Sequence, residues 1–100
     1  MSLSLSITPD AETDMADARS WYELKGVGLG DRFVLCIEAA LDRIRRIPRG
    51  GKEVEPGVRR AVVRQFPYGI FYRIDSDQIA ILAVYHSKRN PRTWRSRHSP

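Results

Sequence analysis

Hydrophobic and polar residues alternate with period two at the start of the chain, then recur at helical spacing. In "LSLSI", Leu3, Leu5 and Ile7 fall on one side and Ser4 and Ser6 on the other, which predicts a short half-buried strand. "TPD" follows with helix-start chemistry. Thr8 serves as N-cap, Pro9 is tolerated in the first turn, and Asp10 and Glu12 suit the positive end of the helix dipole. Ala11, Met15, Ala18 and Tyr22, with Trp21 alongside, then form one face of an amphipathic helix that ends before Gly26. A second stripe of Leu29, Phe33, Ile37, Ala40, Leu41, Ile44 and Ile47 predicts a helix from about Leu29 to Ile47, stopped by Pro48. The short "GVGLGD" connector makes these two helices an antiparallel hairpin. Its glycines do not make a phosphate-cradling loop, because the preceding strand and the Lys-Ser/Thr pair are missing.

"RGGKEVEPG" reads as loop. "VRRAVVRQF" and "GIFYRID" read as strands flanking a Pro-Tyr turn, and "DSD" turns the chain into "QIAILAVYH". Three strands with two tight links form an antiparallel meander. The run Ile79–Tyr85 is apolar on both faces, so it belongs mid-sheet or under a second cover. The expectation is one α+β domain over residues 1–100, ordered β-α-α-β-β-β, with the helical hairpin on one face of a small, mainly antiparallel sheet.

Charge sharpens this picture. Seventeen Lys and Arg against twelve Asp and Glu give +5, unevenly placed. Six acids and two bases occupy residues 1–31, eight bases and two acids residues 43–64, and every formal charge beyond Asp77 is positive. A basic half favours an anionic partner, either nucleic acid or an acidic protein. Cys36 is the only cysteine, so no internal disulfide forms and a reducing compartment fits. The seven-residue run Ile79–Tyr85 is far below the roughly twenty residues of a membrane helix, and "MSLSLSIT" lacks the regions of a signal peptide. These features predict a cytoplasmic protein without membrane association.

Several stretches, taken in order, resemble one family: "WYELKGVGLGDRF", "AALDRIRRIP", "VRRAVVRQFPYGIFYRI" and "ILAVYHSKRNPRTW". The chain resembles the RelE/ParE superfamily of bacterial toxin–antitoxin toxins from the first strand to Arg97. The most specific pieces are Phe66-Pro67-Tyr68 with Tyr72-Arg73, and the ending His86, Arg89-Asn90-Pro91 and Trp94. The resemblance implies a growth inhibitor held inactive by an antitoxin encoded beside it. Some members of the superfamily cut ribosome-bound mRNA without a metal, whereas the ParE branch inhibits DNA gyrase. No cofactor and no metal is implied.

Metal-free RNA cleavage needs a base for the 2′-hydroxyl, cations for the phosphorane and an acid for the leaving oxygen. His86 at the end of the last strand is the candidate acid or base. Arg60 and Arg64, four apart on one strand face with Val62, and Arg89 are the candidate cations. Glu53 and Glu55 lie where some nuclease members carry a carboxylate. Each also has a plainer role as a solvated side chain. The nuclease pattern is incomplete, since only Lys52 stands where lysines cluster and Ser87 follows His86. Arg59, Arg73, Lys88, Arg92 and Arg95, with Trp94 as a stacking platform, are candidates for holding an anionic target. Trp94 equally suits a core anchor in a closing helix after Asn90-Pro91.

Val62, Phe71, Leu82 and Val84 are expected to leave an apolar groove on the side away from the helices, rimmed by arginines, where an acidic amphipathic antitoxin would lie. The expected function is therefore a type II toxin forming a hetero-oligomer with its antitoxin, with ParE-like inhibition of gyrase as the leading target. The alternatives are an mRNA endonuclease and a non-catalytic nucleic-acid-binding module.

Overall fold

The computed structural model describes residues 3–89, so Arg92, Trp94 and Arg95 lie outside the described residues. The elements are β1 (Ser4–Ile7), α1 (Pro9–Lys25), α2 (Leu29–Arg46), a short 3-10 turn (Pro48–Gly50), β2 (Lys52–Glu55), β3 (Val58–Val62), β4 (Tyr68–Asp75) and β5 (Gln78–His86). They build one five-stranded sheet in the order β1-β5-β4-β3-β2. β1 runs parallel to β5 and every other pair is antiparallel. Among the described residues no helix is long and apolar enough to cross a membrane.

α1 starts as its sequence dictates, with the Thr8 hydroxyl accepting the Ala11 N–H and Pro9 in the first turn. Glu23 ties the hairpin together, its two carboxylate oxygens accepting the N–H groups of Gly28 and Gly30 at 3.0 Å each. These are among the donors that a helix start leaves without an intrahelical partner. Gly30 is buried at the crossing, where a Cβ would sit 2.7 Å from the Arg19 carbonyl. Only glycine lets the two helix backbones approach this closely.

The inward stripes of both helices and the helix-facing side of the sheet form one core. At its centre is an aromatic cluster: Phe33 lies 5.3 Å from the rings of both Tyr22 and Phe66, and 5.0 Å from Tyr68. β1 ends at Ile7, so the free edge of β5 needs another partner further on. Asp14 on α1 supplies it, accepting the Val84 N–H at 3.0 Å.

Four expectations from sequence are corrected. "KEVE" is not loop but the edge strand β2, and Pro56-Gly57 is the turn into β3, with Gly57 at φ 83° as a type II turn requires. β3 stops at Val62 rather than Phe66, and Gln65 sits at φ 71°, a left-handed conformation that no strand contains. α2 stops at Arg46, which leaves Ile47 67% exposed instead of closing the stripe. Finally, β5 carries a bulge. Phe71 faces Ala83 while the next residue, Tyr72, faces Ile81, so Leu82 is an extra residue.

That bulge reverses the side-chain alternation. Val84 joins the helix-facing core, whereas Phe71, Ala80, Leu82, Ala83 and Tyr85 form a second cluster with Val58. Of the four residues expected to leave an open apolar groove, Phe71 (6%), Leu82 (1%) and Val84 (2%) are buried, and only Val62 is exposed, at 63%.

Candidate functional site

One pocket of about 230 Å³ opens where β3, the start of β4 and the end of β5 meet, and Arg60, Val62, Tyr68, His86 and Arg89 line it. Arg60 reaches it because β4 carries Gly69 beneath its stem; a Cβ at Gly69 would come within 3.0 Å of the Arg60 Cδ. Arg89 is placed by a tight turn after β5. Its N–H donates to the His86 carbonyl at 2.9 Å, and its guanidinium carbon lies 3.9 Å from the centre of the Tyr85 ring. Ser87 closes the turn by donating its N–H to the Pro67 carbonyl at 2.7 Å.

His86 is half-buried, with its ring edge-on to Tyr68 at 5.3 Å. Its Nδ1 accepts the Lys88 N–H at 3.0 Å. Neutral His86 therefore carries its proton on Nε2, so the free nitrogen is a donor and not a base.

The expected residues divide. Arg60, His86 and Arg89 come together on one flank, and Lys88 is exposed beside them. Arg64 does not line this pocket, because the strand that was to align it with Arg60 has already ended. Arg59 turns to the other face of β3, where it donates to the carbonyls of Arg49 (3.1 Å) and Gly51 (2.8 Å). Arg73 pairs with Asp75 at 2.8 Å. Glu53 accepts the Gly57 N–H at 3.0 Å and so stabilises the β2–β3 turn. Sequence reasoning did not select Tyr68 as a site residue, although it stands in "FPYG", and it likewise passed over Phe66, Pro67, Tyr85 and Ser87, which also line the pocket.

Known proteins share the sequence pattern and the fold of this chain. The family described as "ParE toxin of type II toxin-antitoxin system, parDE" matches residues 5–91. The chain belongs to the ParE toxin family. It is 30% identical over 92 residues to Toxin ParE2 of Mycobacterium tuberculosis, covering 91% of this chain and 88% of that one. The ParE fold is also recognisable in two solved structures. "Chromosomal ParDE TA system from P. aeruginosa" has a TM-score of 0.73 at 21% identity, covering 84% of this chain and 95% of the other. The toxin–antitoxin complex RelBE2 from M. tuberculosis has a TM-score of 0.57 at 24% identity, covering 86% and 99%. At these identities the two structures speak to fold alone.

Three tyrosines in and around the aromatic cluster give this ParE-family chain a measurable alkaline signature. Burial raises the pKa of Tyr22, Tyr68 and Tyr72 above the ordinary 10.0. At Tyr68 the phenol of Tyr22 and the carboxylate of Asp14 raise it further against the opposing charge of Arg89. At Tyr72 the Gly51 hydrogen bond and Arg59 act in the opposite direction. A raised folded-state value means that the unfolded chain loses these protons first, so the stability they contribute is complete below pH 10.0 and is lost above it. Denaturant midpoints should fall between about pH 9 and 11, and Tyr72→Phe should flatten that fall. A midpoint constant across that range would contradict the burial of these phenols.

Proposed function

We propose that this ParE-family chain arrests growth by inhibiting DNA gyrase and is held inactive by a cognate acidic antitoxin in a hetero-oligomer. Its site of action is the cytoplasm, where target and antitoxin are both found. The observation that carries the reading is the family match across residues 5–91. In this reading the flank of Arg60, His86 and Arg89 contacts the target, and it acts by binding rather than by cutting.

The chemistry of His86 supports that choice. A general base needs a lone pair directed at the proton it removes. The Nδ1 lone pair is committed to Lys88, and Arg64, the second expected cation, does not line the pocket. The endonuclease reading draws on the same flank, since two arginines and a histidine share one pocket.

The test is a translation extract programmed with a single mRNA, with 5′ ends mapped before and after adding the protein. No new ends on ribosome-bound message are expected. New ends that disappear with His86→Ala would overturn the gyrase reading in favour of the nuclease.

A further inference from the structure

We infer that His86 is a positioning residue: its Nδ1 holds the turn that aims Arg89 into the target flank, and protonation of the ring releases that turn. The inference rests on the target reading above and adds a pH dependence to it.

His86 closes β5, and the chain turns at once. The next three backbone N–H groups all find partners. Ser87 donates to the Pro67 carbonyl at 2.7 Å, Lys88 to the His86 Nδ1 at 3.0 Å and Arg89 to the His86 carbonyl at 2.9 Å. His86 thus accepts two of the three, one on its ring and one on its backbone. A side chain that accepts from the N–H two residues on mimics a backbone turn, as Asn and Asp side chains do. Arg89 leaves this turn with its guanidinium over the Tyr85 ring and shares one pocket with Arg60. An arginine has many rotamers, so a backbone fixed at its root lowers the cost of placing its head.

The ring can hold the turn in only one protonation state. A neutral imidazole has one acceptor nitrogen, whereas in the imidazolium both nitrogens are donors. Protonated His86 sets an N–H on Nδ1 against the Lys88 N–H, donor to donor, and the two must part. The charged surroundings act in the same direction. Among the described residues, Arg60 from β3 and Arg89 share the pocket of His86, and Lys88 stands beside it. Tyr68 from β4 meets the ring edge-on, and the α1 groups Asp14 and Tyr22 act on the Tyr68 phenol. An imidazolium adds a fourth positive charge to this corner, and like charges push the ring and the turn apart. His86 is only half-buried, so solvent protons reach it.

Two consequences of protonation oppose each other in binding. The added charge attracts an anionic target, but at a partly exposed site it is screened and contributes little. Release of the turn frees Arg89, one of the two arginines of the pocket. Placed arginines are among the residues that carry interfaces, so the loss outweighs the gain and binding weakens as pH falls. A His86 that merely packs on Tyr68 predicts no such fall, because that contact survives in either protonation state.

The experiment follows the full chain by amide NMR and by its binding to purified gyrase at about pH 7.5 and about pH 5.5, on either side of the ordinary imidazole value near 6.5. His86→Asn keeps an acceptor where Nδ1 stands and does not titrate, whereas His86→Gln carries its amide out at the Nε2 end. The other histidine, His98, is common to all three proteins. In the parent the Lys88 amide signal should move together with the His86 ring signals. Parent affinity should fall about fivefold to tenfold on acidification, the size of one lost hydrogen bond. In His86→Asn the Lys88 amide should keep the position it has in the neutral parent, and affinity should change by less than about twofold between the two pH values. In His86→Gln the amide should resemble that of the acidified parent already at the higher pH. A Lys88 amide that ignores the titration of His86, or a His86→Asn profile that falls as the parent's does, overturns the positioning role and leaves the target reading standing. A parent that binds no gyrase at either pH while its Lys88 amide follows His86 overturns the target reading and keeps the positioning role.

Discussion

Phe33→Ala should cost about 3–5 kcal/mol of folding stability, the range for emptying a buried aromatic site. Phe33 is fully buried and touches three other aromatic rings from α1, the loop after β3 and the start of β4. Those neighbours are held by different elements and cannot all collapse into the gap, so the upper half of the range is expected. A domain of this kind has only about 5–15 kcal/mol in total. Each kcal/mol moves the midpoint by about 4–8 °C in a chain this size, so thermal melting should fall by at least about 12 °C. Leu24→Ala, at an aliphatic residue 87% exposed, should stay within about 0.5 kcal/mol. Equal losses at the two positions would mean that the aromatic cluster is not the centre of the fold. Because Tyr68 belongs to both the cluster and the flank, Phe33→Ala should also weaken growth inhibition.

The second large effect concerns function without folding. Under the proposed gyrase reading, replacing Arg60 and Arg89 together by Ala should weaken inhibition of the enzyme at least about 30-fold, as expected when two central arginines leave an interface. Arg60 is exposed and no ion pair among the described residues holds it. Arg89 contributes a cation–π contact over Tyr85, worth about 0.5–1 kcal/mol at an exposed site. The thermal midpoint should therefore drop by only a few degrees. A double variant that inhibits as well as the parent would remove the flank from the account and leave the family assignment untouched. Gly69→Val gives an independent check, because it pushes on the Arg60 stem without removing its charge.

The helical hairpin was legible because each signal agreed with the next: Thr8-Pro9 at the start, two apolar stripes, glycines at the turn and Pro48 at the end. The central strand was legible from its length and its apolar content. β2 escaped because an edge strand is kept polar on both faces, and Val54 is its only apolar residue. Pro56-Gly57 did announce its turn. The bulge at Leu82 left no trace, since a continuous apolar run looks the same whichever way its side chains alternate. That one extra residue moved Val84 to the other face. The early end of β3 likewise separated Arg64 from Arg60.

The site was legible in part for the same reason. Arg60, His86 and Arg89 share a pocket because they lie where three strands end or turn, and the pattern of strands located those places. A second groove beside it was not, because Arg43, Arg46 and Ile47 come from a helix end, and their meeting with Val62 depends on where β2 stops. Helix ends and strand lengths depend on tertiary contacts more than on local pattern.

Supercoiling of relaxed plasmid by purified gyrase, followed as the protein is added, bears most directly on the target. The account predicts that the parent chain blocks supercoiling at a concentration near that of the enzyme, and that prior addition of the antitoxin restores it. Full supercoiling in a large excess of folded protein would contradict it.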